Sequence, residues 1–399
     1  MSVRSSEPEL IFQLEIPFRN TLQPLWAALL PGFLGLMLAA SAAAQAVVQA
    51  PQTPPPGKFL YVAGSYEMAI NPNTGGLRFI KNLGTAAATF VDPSNHFAYA
   101  PSYIAGPVIY IYRIDQASGS LLAVPGSPFP GDPSDVYASF FPDAKGEFLF
   151  SIGEDVNSDF FLSVFRFDRT TGAISETDRI PVTNETFLGW VISDVADKYV
   201  FLGESSGIAC FSLNTTTGTL SEVTGSPFPS RSVTMLGLDK NFLYAMNNDD
   251  TLSGFKINEQ TGALTEVSGS PFQNPLQQWL AIDRVNNFLY TSNTNFFSGN
   301  TTNVITTFRI NTSSGTLLPL ARSGQDILHE PEKVVADPSG RFVYVGDLKL
   351  EPSCVFDQCI GATNSFVVDA ATGKLTVVTK QIPYPGDPYD GNFSLAVAR

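Results

Sequence analysis

The sequence predicts an all-β protein, a seven-bladed β-propeller with four antiparallel strands in each blade, and a recurring turn is the first reason. A Thr-Gly or Ser-Gly pair stands between two apolar segments seven times, with its glycine at Gly75, Gly119, Gly172, Gly218, Gly262, Gly315 and Gly373. Neighbouring glycines lie 44 to 58 residues apart. A strand-rich unit repeated at this spacing is typical of propellers, because each unit supplies one blade around a central axis.

The four strands of a blade are clearest in the last repeat. An apolar strand over 333–336 leads into an Asp-Pro-Ser-Gly turn at 337–340, and a second strand follows over 341–346. The Thr-Gly turn then joins a third strand over 365–369 to a fourth over 374–378. Proline and glycine stand in the first turn where a tight reversal of the chain requires them.

Closure of the ring is predicted from the two ends of the repeat region. The first repeat has no strand before its second-strand segment 58–62, whereas the chain ends in an otherwise unpaired strand-like segment, 393–398. We expect this last segment to form the innermost strand of the first blade, because such closure removes exposed sheet edges. Residues 58–399 then provide about 49 residues for each blade, close to the ~40–50 typical of propeller repeats.

Three repeats end in the same phrase, Gly-Ser-Pro-Phe, at 126–129, 225–228 and 269–272. The proline is expected to set a turn and the phenylalanine to pack between neighbouring blades. We interpret the phrase as structural, since it recurs unchanged in three blades.

The residues before the propeller predict export. Residues 1–46 are expected to be a signal peptide or an N-terminal anchor, and residues 47–57 a proline-rich linker to the propeller at 58–399. The apolar stretch 26–44 leads into Ala44-Gln45-Ala46, which fits a signal-peptide cleavage site. We therefore expect a periplasmic or secreted protein. The alternative is an uncleaved segment, because about 20 apolar residues suffice to span a bilayer.

Charge and cysteine content limit the partners. The formal net charge is -14 and no basic footprint is present, so nucleic acid is not an expected partner. No metal or cofactor motif is visible, and we expect a monomer without a cofactor. Acidic residues after the second strands, including Glu204 and Asp347, predict a solvated rim rather than a cation site. Cys354 and Cys359 are a candidate disulfide in an exported chain, and Cys210 is expected to be a buried strand residue.

Several of these motifs resemble the seven-bladed propeller lactonases of the 6-phosphogluconolactonase type. They are Asp-Pro-Ser-Gly-x-Phe-x-Tyr-Val at 337–345, Thr-Gly-x-Leu-x-x-Val at 261–267, and the Gly-Ser-Pro-Phe ends. The resemblance implies a hydrolase that opens a sugar-derived or other small lactone. The family often places a histidine five residues before the first-turn proline. In this chain no histidine stands at that position, which is occupied by Ala88, Tyr137, Trp190, Met235, Trp279, Lys333 and, more loosely, Asp390.

That same repeat position predicts the ligand-binding residues. It begins the inner strands, so its residues are expected to surround the mouth of the central channel on the face that carries the variable loops. We predict that Tyr137, Trp190, Trp279 and Asp390 bind a lactone or sugar-like ligand, since aromatic rings stack on sugars. The alternative for the two tryptophans is packing within the taper of the propeller.

The predicted catalytic residues lie just ahead of the last inner strand. His329, Glu330 and Lys333 are the only His-Glu-Lys grouping in the chain. Lactone opening needs a base that activates water and a cation or donor that stabilises the oxyanion, and Glu330 or His329 with Lys333 would supply them. The alternatives are a solvated polar loop and, for the whole protein, a non-catalytic propeller that binds a glycan, a peptide or a cell-envelope partner.

Overall fold

The computed structural model describes residues 58–62, 65–84, 89–102, 108–131, 135–182, 185, 188–274, 277–293, 303–324, 328–349, 360–384 and 395–398. All of them belong to one compact unit, Thr53–Arg399. Within these residues every regular element is a β-strand, and no helix there is long and apolar enough to cross a membrane. The predicted export segment, the linker and the Cys354/Cys359 pair lie outside the described residues.

The strands form seven antiparallel sheets, which confirms the predicted seven-bladed propeller with four strands in each blade. From the centre outward, blade 1 contains Leu395–Ala398, Lys58–Val62, Tyr66–Ile70 and Leu77–Asn82. Blade 2 contains Phe90–Val91, Phe97–Ser102, Val108–Ile114 and Leu121–Ala123, followed by Phe129–Pro130. Blade 3 contains Asp135–Pro142, Phe148–Asp155, Phe160–Phe167 and Ile174–Val182.

The remaining four blades follow the same order. Blade 4 contains Leu188–Ser193, Tyr199–Glu204, Gly207–Asn214 and Thr219–Glu222, followed by Phe228–Pro229. Blade 5 contains Val233–Asp239, Phe242–Asn247, Thr251–Ile257 and Leu264–Glu266, followed by Phe272–Gln273. Blade 6 contains Gln277–Asp283, Phe288–Asn293, Val304–Ile310 and Leu317–Ser323. Blade 7 contains Pro331–Ala336, Phe342–Lys349, Ile360–Val368 and Leu375–Tyr384.

The ring closes as the sequence predicts. The C-terminal strand pairs with Lys58–Val62, with Phe59 opposite Ala398 and Val62 opposite Leu395. A second link crosses the same junction, because the Arg341 guanidinium of blade 7 donates to main-chain carbonyls of the turn in blade 1 at 2.9 and 3.1 Å. Blade 1 is therefore built from both ends of the described chain.

The recurring turn glycines fit against the preceding blade. Gly315 has a φ of +75°, and a Cβ there would lie 2.3 Å from the Phe242 ring. Gly75 repeats this arrangement at the closure, where a Cβ would lie 2.2 Å from the Phe342 ring. Only glycine combines this backbone conformation with so close an approach, which explains why the turn recurs in every blade.

The Gly-Ser-Pro-Phe phrases interrupt the outer edge of blades 2, 4 and 5, and the structural interpretation is confirmed. In each phrase the serine hydroxyl accepts a hydrogen bond from a main-chain amide of the third strand, at Ile111, Cys210 and Gly254, over 2.9 to 3.1 Å. Each phenylalanine packs against the adjoining apolar core. The hydroxyl thus replaces a ladder bond that the interrupted strand does not make.

The apolar core lies between neighbouring blades. One cluster joins Phe201 and Ile208 of blade 4 to Leu243 and Phe255 of blade 5. Cys210 is a buried free thiol in the same cluster, as predicted. The middle strands are buried on both faces, because each blade packs against two others, and the first strands are left to surround the central channel.

Candidate functional site

A β-bulge distorts the first strand of blades 4 to 7 at one level of the channel. In blade 7 the register passes from Pro331 opposite Asp347 to Lys333 opposite Gly346, so Glu332 is the extra residue. Corresponding shifts occur in the other three blades. We call this level the channel mouth; it lies near the start of the first strands, on the connection face, where the chain passes from blade to blade. Bulges re-aim side chains and are frequent beside active sites.

Four aromatic side chains meet across the channel, and we call them the aromatic cluster. They come from blades 2, 3, 4 and 6: Phe90, Phe141, Trp190 and Trp279. The ring centroids are 4.5 Å apart for Phe141 and Trp190, and 5.3 Å apart for the two indoles, which stand at 90°. Such edge-to-face contacts stabilise packing. The two tryptophans thus contact each other, and their packing role is visible here. Ligand binding by them stays a prediction.

Glu332 and Lys333 are consecutive residues beside this cluster, and the charge of each acts on the pKa of the other. The Lys333 ammonium lies 4.3 Å from the centroid of the Trp279 ring, a cation–π contact. Burial lowers the pKa of Lys333 to about 8, against the opposing effect of Glu332. Burial raises the pKa of Glu332 to about 7; Glu330 and Asp347 act in the same direction and Lys333 opposes them. The Ser292 hydroxyl donates to the Glu332 carbonyl at 2.7 Å and so helps to fix the bulge.

Asp347 holds the connection that leads into blade 7. Its side chain is fully buried, and its Oδ1 accepts the main-chain amides of His329 and Glu330 at 2.9 and 2.8 Å. The His329 Nδ1 lies 3.6 Å from Asp347 Oδ2 and 3.0 Å from Gln381 Nε2. Burial raises the pKa of Asp347, and the two amides oppose the rise. The contacts therefore place the backbone that precedes the Glu332–Lys333 pair.

The predicted catalytic trio is divided in the structure. Glu330 is 8% exposed. Burial raises its pKa, and repulsion from Asp347 adds a smaller effect in the same direction. In the described part of the chain, Lys333 forms no ion pair with Glu330 or with Glu332, and Glu332 is the carboxyl group whose charge acts on the pKa of Lys333. His329 contacts Asp347 and Gln381 rather than the pair. Glu332, which directly precedes Lys333 in the chain, is therefore the carboxyl group that acts on Lys333 electrostatically.

Glu332 is not among the residues predicted from the sequence, although a signal for it is present there. Glu332 directly precedes Lys333 and takes the same repeat position as Thr234 and Gln278, the extra residues of the bulges in blades 5 and 6. The bulge itself depends on pairing with the second strand. The sequence pattern of the first strand alone therefore does not reveal the bulge.

One predicted ligand residue occupies a different level. In the register of blade 3, Ser139 takes the level that Trp279 takes in blade 6, and Tyr137 lies two residues nearer the connection face. The predicted level of Tyr137 is wrong because the position was assigned relative to Pro142. This proline precedes the turn aspartate, Asp143, instead of following it.

The remaining predicted polar residues have mixed outcomes. The prediction of a solvated acidic rim is wrong for Glu204 and Asp347, because their side chains are only 4% and 0% exposed. Burial raises the pKa of Glu204 to about 8, and repulsion from Glu185 and Glu222 adds a smaller effect in the same direction. Asp390 lies outside the described residues. Among the described residues, no group of three or more His, Cys, Asp or Glu side chains is arranged to hold a metal ion.

Comparison with known proteins agrees with the fold. The sequence model of the family "Lactonase, 7-bladed beta-propeller" matches residues 250–351, a stretch that includes Trp279, Glu332, Lys333 and Asp347. A search of curated proteins gives no match.

Solved structures give the same architecture at low sequence identity. The periplasmic gluconolactonase PpgL of Pseudomonas aeruginosa is 17% identical over 86% of this chain and 99% of its own, with a TM-score of 0.62. A proposed 6-phosphogluconolactonase of Bacteroides fragilis is 17% identical over 85% and 97%, with a TM-score of 0.60. A Lactobacillus plantarum protein is 16% identical over 86% and 98%, also at 0.60. The chain is therefore a seven-bladed β-propeller that resembles the lactonases in fold and, over residues 250–351, in sequence pattern.

Proposed function

We propose that the protein hydrolyses a small lactone at the channel mouth, with Glu332 as general base and Lys333 as the cation that stabilises the oxyanion. The observation that carries this proposal is an acid and an amine on consecutive residues of a β-bulge, with the amine against the Trp279 ring; burial shifts their pKa values to about 7 and about 8. When the pKa of an acid rises and the pKa of a neighbouring amine falls, both towards neutral pH, the two groups are typical of an acid–base site. The family resemblance over the same residues supports the reaction class.

The proposed reaction uses one water molecule and returns both groups to their starting state. Glu332 takes a proton from water as the oxygen attacks the lactone carbonyl carbon, and Lys333 stabilises the resulting oxyanion. When the carbonyl forms again, the ring C–O bond breaks and the ring oxygen takes the proton from Glu332. Lactone and water thus give a hydroxy acid. The cation–π contact with Trp279 fixes the ammonium in place.

Charge at the site favours a neutral lactone over a phosphorylated one. The carboxyl groups of Glu330, Glu332 and Asp347 repel one another, and Lys333 is the cation that acts on Glu332. A partly buried acidic site repels a phosphate dianion, because Coulomb interactions are weakly screened there. We therefore expect faster hydrolysis of glucono-δ-lactone than of 6-phosphogluconolactone.

The test measures acid release from glucono-δ-lactone by the full-length chain, corrected for spontaneous hydrolysis. Glu332→Gln and Lys333→Met are each expected to lower kcat/KM by about 100-fold or more, the usual contribution of a positioned acid–base group. Glu330→Gln is the matched control, and we expect less than about a tenfold loss from it. Thermal unfolding of each variant checks that the fold is kept. Equal rates in all four proteins would overturn the proposal.

A binding propeller is the second candidate, favoured by the absence of histidine at the channel mouth in blades 4 to 7. If the full-length chain opens no lactone, but a sugar changes the fluorescence of Trp190 and Trp279, this second function is supported. Export and a monomeric state also remain proposals. Both can be tested by fractionating cells that express the chain and measuring the mass of the purified protein.

A further inference from the structure

A separate cavity of about 290 Å³ lies on blade 6, and none of the channel-mouth residues lines it. Its wall combines Asn274, Asn293, Thr306, Phe308, Leu320 and Arg322. The fourth strand bulges here, with Leu320 as the extra residue between Pro319 and Ala321. A bulge bends the strand locally, which leaves a concavity beside the third strand.

Two buried amides form the polar wall of this cavity. Asn274 and Asn293 are 2% and 1% exposed, and the Asn293 Nδ2 donates to Asn274 Oδ1 at 3.1 Å. The Thr306 hydroxyl donates to Asn293 Oδ1 at 2.9 Å, and Asn274 Nδ2 donates to Gln277 Oε1 at 2.7 Å. These bonds set the orientation of both amides before any ligand arrives.

The amide of Asn274 retains hydrogen-bonding capacity. A side-chain amide nitrogen carries two donors, and the bond to Gln277 uses one of them. Gln277 is itself held, because its Nε2 donates to the carbonyls of Asn247 and Thr251 at 2.8 and 2.9 Å. A buried polar atom with an unused donor at a cavity wall suits a hydroxyl of a ligand.

Arg322 supplies a cation at the edge of the same cavity. It stands opposite Thr306 in the strand pair and is exposed. Within the described residues its guanidinium has no ion-pair or hydrogen-bond partner, although the chain carries 37 acidic residues against 23 Lys and Arg. A guanidinium binds carboxylates through paired donors, so an unpaired one beside a polar cavity suits an anionic group.

We infer that this cavity, which we call the blade 6 pocket, binds a small hydroxylated carboxylate. Asn274 and Thr306 meet its hydroxyls, Arg322 meets its carboxylate, and Phe308 and Leu320 cover its carbon chain. The volume is near the lower limit of ~300 Å³ for ligand pockets, which suits one molecule the size of a sugar acid. The inference does not depend on the proposed lactone hydrolysis, although the products of that reaction belong to the same chemical class.

The test is calorimetric titration of the full-length chain with three probes. Gluconate carries hydroxyls and a carboxylate, sorbitol carries hydroxyls alone, and hexanoate carries a carboxylate alone. Gluconate is expected to bind more tightly than either of the others. Arg322→Gln is expected to weaken gluconate binding about tenfold or more, since bonds to charged groups are the strong ones. Thr306→Val is expected to weaken it by about fivefold. Arg78→Gln, an arginine on the fourth strand of blade 1, is the matched control.

The same titrations separate this pocket from the channel mouth. In a Lys333→Met background, gluconate binding that depends on Arg322 should persist, and Arg322→Gln should leave lactone hydrolysis unchanged. Gluconate affinity that is the same with and without Arg322 would overturn the inference. So would hexanoate binding as tight as gluconate binding, or no gluconate binding by the unaltered chain at tens of millimolar.

Discussion

At the channel mouth, burial acts on Glu332 and Lys333 in opposite directions, because it disfavours the charged form of each. The pKa of the carboxyl rises to about 7 and that of the ammonium falls to about 8. The proposed reaction requires Glu332 ionised and Lys333 protonated, and both conditions hold best between these two values.

We expect a bell-shaped dependence of kcat/KM on pH for lactone hydrolysis. Activity should rise as pH increases through about 7, where Glu332 loses its proton, and fall above about 8, where Lys333 loses its proton. Initial rates from pH ~5.5 to ~9.5, corrected for spontaneous hydrolysis, check the profile. A rate that is flat across this range would count against Glu332 as the base.

Each turn between the third and fourth strands presents its glycine to the blade before it. Gly315 illustrates this, since a Cβ there would overlap the Phe242 ring. Gly84 has a similar φ of +71°, but among the described residues no atom lies within 4 Å of the place that a Cβ would take. An alanine at either glycine would strain the backbone, but only an alanine at Gly315 would also overlap a neighbouring side chain. Comparing the two variants therefore distinguishes the two costs.

Gly315→Ala is expected to lower the free energy of unfolding by about 2 kcal/mol more than Gly84→Ala. Both variants place alanine at positive φ, which costs roughly 1–2 kcal/mol, but only the first also forces the blade interface apart. Urea unfolding of both variants measures the difference. Equal losses would mean that the turn glycines are kept for backbone conformation alone.

Across the whole molecule, several buried carboxyls have raised pKa values. Burial raises the pKa of Glu67 and Asp143 to about 7 and that of Glu204 to about 8, and Lys81 only partly offsets the effect at Glu67. Between the unfolded pKa, about 4.5 for the two glutamates and 3.8 for Asp143, and the folded pKa, the folded state binds more protons than the unfolded chain. Stability is therefore expected to fall as pH rises from about 5 to about 8.

Glu67→Gln tests this at one site, because its side chain is fully buried and neither oxygen has a hydrogen-bond partner in the described part of the chain. The substitution should raise the free energy of unfolding at pH ~8 by about 1–3 kcal/mol and leave it nearly unchanged at pH ~5. Urea unfolding at both pH values measures it, with the exposed Glu176→Gln as control. A loss of stability at the higher pH would show that the ion pair with Lys81, at 3.4 Å, outweighs the cost of burial.

The sequence alone determined the number of blades, their strand order and the closure by the C-terminal strand. These follow from local chemistry, since turn residues and alternating apolar strands repeat in each unit, and an unpaired last strand has one vacant sheet edge to fill. It also placed Trp190 and Trp279 at one level, because both lie four residues before a turn aspartate, Asp194 and Asp283.

Only the tertiary structure decided which side chains meet. Glu332 reaches its position because a bulge, defined by pairing with a separate strand, inserts one extra residue beside Lys333. Burial of Asp347, contact between the indoles of blades 4 and 6, and the cavity on blade 6 likewise arise between residues far apart in the chain. Strand periodicity sets the side to which a residue points, whereas register, bulges and packing across the channel set its neighbours and hence its pKa.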